Sequence, residues 1–526
     1  MKRRHFIRSV SAASLGGFAV RGFGNPLLGP VFDRAAEDRV LVIVQLYGGN
    51  DGLNTVIPLD QYDALSVARS NVLIPEGAVL PLQGLPATGL HPVMGGMQQL
   101  WNDGKLTIVQ GVGYPDPDFS HFRSTDIWET GANSDQLLDS GWTGRYLNLE
   151  YPNFPQGYPN ATMPDPLAIR IGGPITIGLQ HMGVAMGASI YNTEDPLNLT
   201  NNHFTDAVTA DCKGSKLDFV RTVQQQTDLY VNVIQAAALP NCNLSTLYPT
   251  GNEPGAELAR ALKIVAQLIC GGLKTRIYWV SIDGFDTHAQ QVVQDDHTLG
   301  VHADLLKGLS DSIHAFQDDL HLLGLEDRVL GMTCSEFGRR IKSNGSGGTD
   351  HGTSAPMFLF GTKVLPGMLG QNPEIPANAG TGTNLAMQYD FRSVYASVLR
   401  DWFCLEQGEV DTVMLDTYQP LALVDPAGCL NTSVHAANQG AGTSLLEVFP
   451  SPFTERTTVR FQSEGGRVLL AVYDGEGRTV RQLLNRDMPA GEHTLTAELD
   501  DLPAGVYYCR LQQGARQQVR SMMKVR

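Results

Sequence analysis

The sequence predicts an α/β protein: a doubly wound, mostly parallel sheet with helices on both faces, joined to a small C-terminal all-β sandwich. Three observations carry that expectation. Val40 to Tyr47, V-L-V-I-V-Q-L-Y, is an unbroken apolar run, as in a central strand covered on both faces. It ends in the polar, Gly-rich turn Gly48-Gly49-Asn50-Asp51-Gly52, and this strand-then-turn pattern recurs along the chain with helical stretches between. Beyond residue 446 only short β-like runs remain.

Taken in order, residues 1–36 read as an address rather than as fold. Lys2-Arg3-Arg4-His5-Phe6-Ile7-Arg8 is a twin-arginine pattern. The weakly apolar Ser9 to Val20 that follows is too short and too rich in Ser and Gly to span a bilayer. Export by the twin-arginine translocase is the expectation, and no other run has the length of a transmembrane helix. The α/β domain is expected over 37–429. Its further strands are Leu106 to Gln110, Arg276 to Ile282, Arg328 to Thr333 and Met357 to Phe360. Ala256 to Leu268 reads as a helix. So does His302 to Leu323, with apolar residues at Leu305, Leu306, Leu309, Ile313, Phe316 and Leu320. Residues 430–446 are polar and form a linker. In 447–526 short strands are expected at Val459 to Phe461, Val468 to Tyr473, Thr479 to Leu484, His493 to Leu499, Val506 to Leu511 and Val519 to Val525. The turns Asp474 to Gly477 and Pro489 to Gly491 separate them.

The formal charge of −16 is unevenly spread: residues 1–36 carry +5, 447–526 carry +1, and the body between carries −22. So acidic a body repels phosphate backbones and excludes nucleic acid as partner. Among the seven cysteines, Cys212 with Cys242 and Cys404 with Cys429 are candidate disulfides, while Cys270 and Cys334 sit in apolar runs and read as buried thiols.

The chemistry concentrates between Asp283 and His351. There S-I-D-G-F-D-T-H, C-S-E-F-G-R-R and G-T-D-H-G border β-like runs. Carboxylates and imidazoles at strand ends are what a divalent metal needs; zinc, manganese and calcium are the candidates. Asp286 and His288 are two apart and could chelate together from a loop; alternatively His288 caps the next helix and Asp286 hydrogen-bonds backbone amides. Asp350 either binds metal or orders His351. Asp51 is a ligand or only a turn residue opening a helix. His121 reads equally as base, ligand or structural. Arg145, Arg339 and Arg340 are anion clamps or structural ion pairs. Gly48-Gly49 matches no phosphate or dinucleotide loop, which rules out NTP and NAD.

Two resemblances follow. Phe449 to Phe453 (F-P-S-P-F), Val472 to Arg478 (V-Y-D-G-E-G-R), Ala490 to His493 and Leu502 to Tyr508 (L-P-A-G-V-Y-Y) resemble a type IX secretion sorting domain, which implies that machinery as partner and a final location at the cell surface or outside. About residues 38 to 405 resemble the domain-of-unknown-function 1501 family. The matching motifs are Y-G-G-N-D-G-L-N-T, L-H-P, S-H-F, G-W-T-G-R, G-F-D-T-H, S-E-F-G-R and G-T-D-H-G. That family looks like a branch of the alkaline phosphatase superfamily, which implies an alkaline phosphatase-like fold and two metal ions acting on a phosphate or sulfate ester. The resemblance implies an early metal aspartate at Asp51 and a nucleophile at Ser120. It also implies one metal site from Asp283 or Asp286 with His288 and His351. A second site would draw on Asp51 and Glu336, but Phe337 stands where its histidine would be. The implied function is an exported metal-dependent hydrolase of anionic esters; the alternative is a non-catalytic surface binding or assembly protein on a degenerate scaffold.

Overall fold

The computed structural model describes residues 38–191, 212–239, 241–430, 446–450, 453–474, 478–513 and 516–525. The expected twin-arginine leader, most of the expected linker and most of the expected Asp474 to Gly477 turn lie outside them. Two compact units are present, one spanning Arg34–Asn431 and one containing Thr432–Arg526.

The first unit is built on nine strands. These are β1 (Val40–Leu46), β2 (Leu106–Gly113), β3 (Ala168–Ile171), β4 (Ala188–Ile190), β5 (Ile277–Ile282), β6 (Val329–Ser335), β9 (Ala355–Phe360), β10 (Gly367–Leu369) and β11 (Tyr389–Asp390). A separate hairpin, β7 (Arg339–Ser343) and β8 (Thr349–His351), lies between β6 and β9 in the chain. The sheet order is β10-β2-β9-β6-β1-β5-β3-β4, with β11 also on β2. Among the described strands only β9 is reversed, pairing antiparallel with β6 and β2. The sheet is therefore mostly parallel.

Every residue of β1 is buried, because both faces of the sheet are covered. Val40, Val42, Val44 and Leu46 face one core with α5 (Ala256–Cys270) and α6 (Val301–Leu322). Leu41 and Ile43 face the other, with α2 (His121–Thr130), α3 (Trp142–Glu150) and α7 (Phe391–Ser397). Side chains of a strand alternate between faces, so one continuous apolar run feeds two cores. Helix α6 follows its expected stripe: Leu306, Leu309, Ile313, Phe316 and Leu320 are fully buried, with Leu305 half-buried at the margin. Each such side chain contributes roughly 1.5–3 kcal/mol, and this burial holds α6 against the sheet.

The disulfides are Cys242–Cys270 and Cys404–Cys429. The expected pairing of Cys212 with Cys242 is thus overturned, as is the reading of Cys270 as a thiol. Cys212 opens a 26-residue helix, α4 (Cys212–Ala237). At 1.5 Å per residue it stands about 39 Å from the far end, and it is at that far end that Cys242 meets the close of α5.

The C-terminal unit is all-β, with β12 (Leu446–Phe449), β13 (Arg456–Tyr473), β14 (Thr479–Glu498), β15 (Gly505–Gln513) and β16 (Arg516–Lys524) in one antiparallel sheet. The short strands expected at 459–461 and 468–473 are two parts of β13. Pro489 to Gly491 lies inside β14 rather than in a turn, since β13 and β14 pair along nearly their whole lengths. Gly465 and Gly466 adopt φ of 92° and 97° in mid-strand, a conformation other residues avoid. Val459 and Phe461 from one half share a buried core with Val468, Leu470 and Val472 from the other, so a single bent ribbon encloses what two sheets would in a sandwich.

Candidate metal centre

Parallel register brings the site together. Leu46 is level with Ile282 on one side and with Ser335 on the other. The loops after β1, β5 and β6 therefore emerge side by side at the carboxyl edge of the sheet, where open α/β folds take ligands. β2 runs the same way and leads through residues 114–120 to His121, the first residue of α2. Pairing of Arg339 with His351 in the β7–β8 hairpin adds the last segment. Gly48 and Gly49 allow the close packing. A Cβ on Gly48 would lie 2.2 Å from the Asp286 backbone nitrogen, and one on Gly49 would lie 2.4 Å from the Phe337 ring.

Three imidazoles surround the Asp286 carboxylate. His351 Nε2 is 3.1 Å from Oδ1, His288 Nε2 is 3.2 Å from Oδ1, and His121 Nε2 is 3.5 Å from Oδ2. The other ring nitrogen of each histidine faces an acceptor. His121 Nδ1 lies 2.5 Å from Glu336 Oε2, His288 Nδ1 lies 3.2 Å from Asp350 Oδ1, and His351 Nδ1 lies 2.8 Å from the Phe119 carbonyl. Those acceptors fix the proton on Nδ1 and leave the Nε2 lone pairs turned inward. His288 Nε2 and His351 Nε2 stand only 2.9 Å apart, and with no proton between them two lone pairs repel unless a cation lies nearby. His121, Asp286 and His351 alone bring three ligand atoms within 4.8 Å of one another.

Burial lowers the His351 pKa despite its bonds to Phe119 and Asp286, so the ring is neutral at neutral pH. Burial pushes Asp286 up, but the hydrogen bond and charge of Arg339 oppose it, and the carboxylate is held below its usual range. Burial raises the Glu336 pKa, with His121 and Arg339 opposing. Asp350 is lowered, chiefly by the hydrogen bond from Asn344.

The sequence-expected residues separate into groups. His121, Asp286, His288 and His351 converge. Glu336 and Asp350 stand behind the imidazoles rather than among the converging atoms, and Asp350 orders His288, not His351. Asp283 is exposed and makes no bond among the described residues. Asp51 is not brought to the cluster. It is buried, with both oxygens bonded to Arg69 at 3.0 and 2.8 Å and one also to Gln291 at 2.6 Å. It makes no side-chain cap to the short helix α1 (Gly52–Thr55) either. Arg339 is buried and spent on the carbonyls of Gly48, Gly49, Phe285 and Thr349 and on Asp286 Oδ1, so it fixes a ligand and clamps no anion. Arg145 is likewise spent on the carbonyls of Thr130, Ser140 and Val413. Arg340 bonds the carbonyls of His351 and Thr381. Ser120 is exposed beside His121, with its backbone N–H donated to Asp118. Sequence reasoning missed Arg69, Gln291, Asn344 and the Phe119 carbonyl. Nothing local marks Arg69, Gln291 and Phe119, whose partners lie 18 to 240 residues away; Asn344 reaches Asp350 within one hairpin, across six residues.

A mostly parallel sheet that carries at its carboxyl edge a cluster of imidazoles and a carboxylate able to hold a metal ion, in a chain with a separate β unit, is what these features define. Residues 179–438 match the family described as a protein of unknown function (DUF1501), and residues 447–525 match the secretion system C-terminal sorting domain. The sorting domain marks the chain for export to the cell surface or outside. No helix among the described residues is long and apolar enough to cross a membrane. No curated protein matches the chain. Among solved structures, PorZ, a surface component of the type IX secretion system of Porphyromonas gingivalis, is similar at 14% identity and TM-score 0.13 over 17% of this chain and 13% of its own. A Bacteroides thetaiotaomicron structure described under the metabolism of multiple glycosaminoglycans is similar at 9% identity and TM-score 0.33, covering 85% of this chain and 89% of that one. A protein in the alkaline phosphatase superfamily from Vibrio parahaemolyticus is similar at 11% identity and TM-score 0.29, covering 95% and 89%. At these scores none carries an argument about activity.

Proposed function

We propose that the chain is an exported, metal-dependent hydrolase of phosphate or sulfate esters that uses a single divalent ion. One observation carries the reading: three imidazole Nε2 atoms gather on Asp286, each with its Nδ1 hydrogen committed elsewhere. Three nitrogen donors and one oxygen suit zinc or manganese. Calcium takes six to eight oxygens, and this set does not offer them. A divalent ion held there supplies Lewis acidity toward an ester oxygen. Asp286, the one carboxylate among the converging atoms, would offset only half of a divalent ion's charge, which favours an anionic ester at the ion. Ser120 supplies the attacking hydroxyl in this reading: its Oγ is exposed, makes no bond among the described residues, and adjoins His121. The twin-arginine translocase and the type IX machinery are its transport partners.

The geometry also gives a reason to weigh a non-catalytic surface binding or assembly protein. Arg145 and Arg339, the expected clamps, are both committed to backbone carbonyls. Elemental analysis after reconstitution with zinc or manganese separates the readings. One equivalent in wild type, lost in His351→Ala and Asp286→Ala, is the expected result, together with turnover of 4-nitrophenyl phosphate or sulfate. Metal without turnover on either ester favours the binding protein, and no bound metal ends the proposal.

A further inference from the structure

Phe119 and Phe122 flank Ser120 and His121 in the chain. The Phe119 carbonyl accepts the His351 Nδ1 proton at 2.8 Å, so its backbone is tied to the centre. Phe122 follows His121 in the first turn of α2. Phe122 is 88% exposed and Phe119 38%, and neither belongs to an apolar core. The turn is held without them: Arg123 donates to the carbonyls of Asn133, Ser134 and Gln136. Exposed phenyl surface on the segment that carries Ser120 and His121 adds to neither apolar core and is the kind of apolar surface that marks a binding site. Among the exposed and half-exposed charges on these segments, Asp116, Asp118, Asp283 and Asp350 outnumber Arg123 and Arg340. A polyanion, nucleic acid or anionic lipid is repelled there. A neutral ring with an apolar face is not.

We propose that Phe119 and Phe122 determine substrate specificity by stacking on a ring, aryl or pyranose, carried on the leaving-group side of the ester. The proposal rests on the hydrolase reading. It commits the substrate to a ring-bearing monoester whose charge is confined to the group at the metal. Face-to-ring contact favours aromatic and other flat apolar partners over a flexible alkyl chain.

The test compares 4-nitrophenyl phosphate with ethyl phosphate on zinc- or manganese-loaded wild type, Phe122→Ala and Phe119→Ala. Metal content should be the same in all three. KM for the aryl ester should rise about tenfold in Phe122→Ala, while KM for ethyl phosphate stays within twofold and kcat is unchanged. An equal rise for both esters, or none for the aryl ester, overturns the proposal. Saturation-transfer NMR reads ring contact with 4-nitrophenyl phosphate apart from turnover. Contact present in wild type and lost in Phe122→Ala supports the platform even if nothing is hydrolysed, in which case the hydrolase reading alone fails. No contact in wild type sinks the platform whatever the activity.

Discussion

Replacing Glu336 with alanine measures how far the groups behind the imidazoles set metal affinity. Glu336 is 3% exposed, and its Oε2 lies 2.5 Å from His121 Nδ1. Asp350 makes the equivalent bond to His288 at 3.2 Å, but its side chain is 43% exposed. Losing a carboxylate that orients a metal-binding imidazole weakens affinity about 10–100-fold, or about 1.4–2.7 kcal/mol. The buried bond should lie at the upper end, because no water can replace the lost acceptor: Glu336→Ala is expected to weaken zinc about 30–100-fold. At Asp350 water takes over, so Asp350→Ala should weaken it less than about tenfold. Glu336→Gln keeps an acceptor oxygen and should fall between wild type and the alanine variant. The assay is zinc competition against a chelator at neutral pH, with circular dichroism to verify the fold. Unchanged affinity in Glu336→Ala, or a larger loss in Asp350→Ala, would refute the idea that buried hydrogen bonds aim these rings.

Two further outcomes are expected. Burial lowers the His302 pKa to about 4, against about 6.5 when unfolded. The unfolded chain therefore binds the proton first, and stability falls as pH drops from about 6.5 to about 4 and is flat above, a contribution of about 3 kcal/mol. His302→Gln can keep the donor to Asn50 Oδ1 and should remove much of that slope in urea titrations. His91, also lowered by burial, to about 3, leaves the rest; an unaltered slope would contradict the assignment. Gly48→Ala, at φ 114° and with its Cβ 2.2 Å from the Asp286 nitrogen, should cost at least about 2 kcal/mol and displace Asp286 from the histidines. A normal melting temperature with full zinc binding would show that the loop relaxes freely.

Much of the first unit was legible residue by residue. The run Val40 to Tyr47 and the stripe from Leu305 to Leu320 announce a strand and a helix because burial on one or two faces leaves a periodic trace in neighbouring positions. The G-F-D-T-H and G-T-D-H-G segments announce their own chemistry for the same local reason. The C-terminal unit was harder to read. Pro489 to Gly491 looks like a turn, yet a long partner strand holds it extended, since ladder hydrogen bonds outweigh the local preference.

Local pattern thus determined which segments are strands, which are helices, which carry acid and imidazole, and that the chain bears a sorting domain. Only the tertiary structure decided which polar groups were still free to act. Asp51 looked as good a ligand as Asp286 until Arg69 and Gln291 took its oxygens, and Arg339 looked like a clamp until four carbonyls filled its donors. His121, far off in the chain, was brought beside Asp286 by the sheet and the connection from β2 to α2. Hydrogen-bonding capacity is finite and is used up by partners tens to hundreds of residues away, and that competition leaves no mark in the neighbouring sequence.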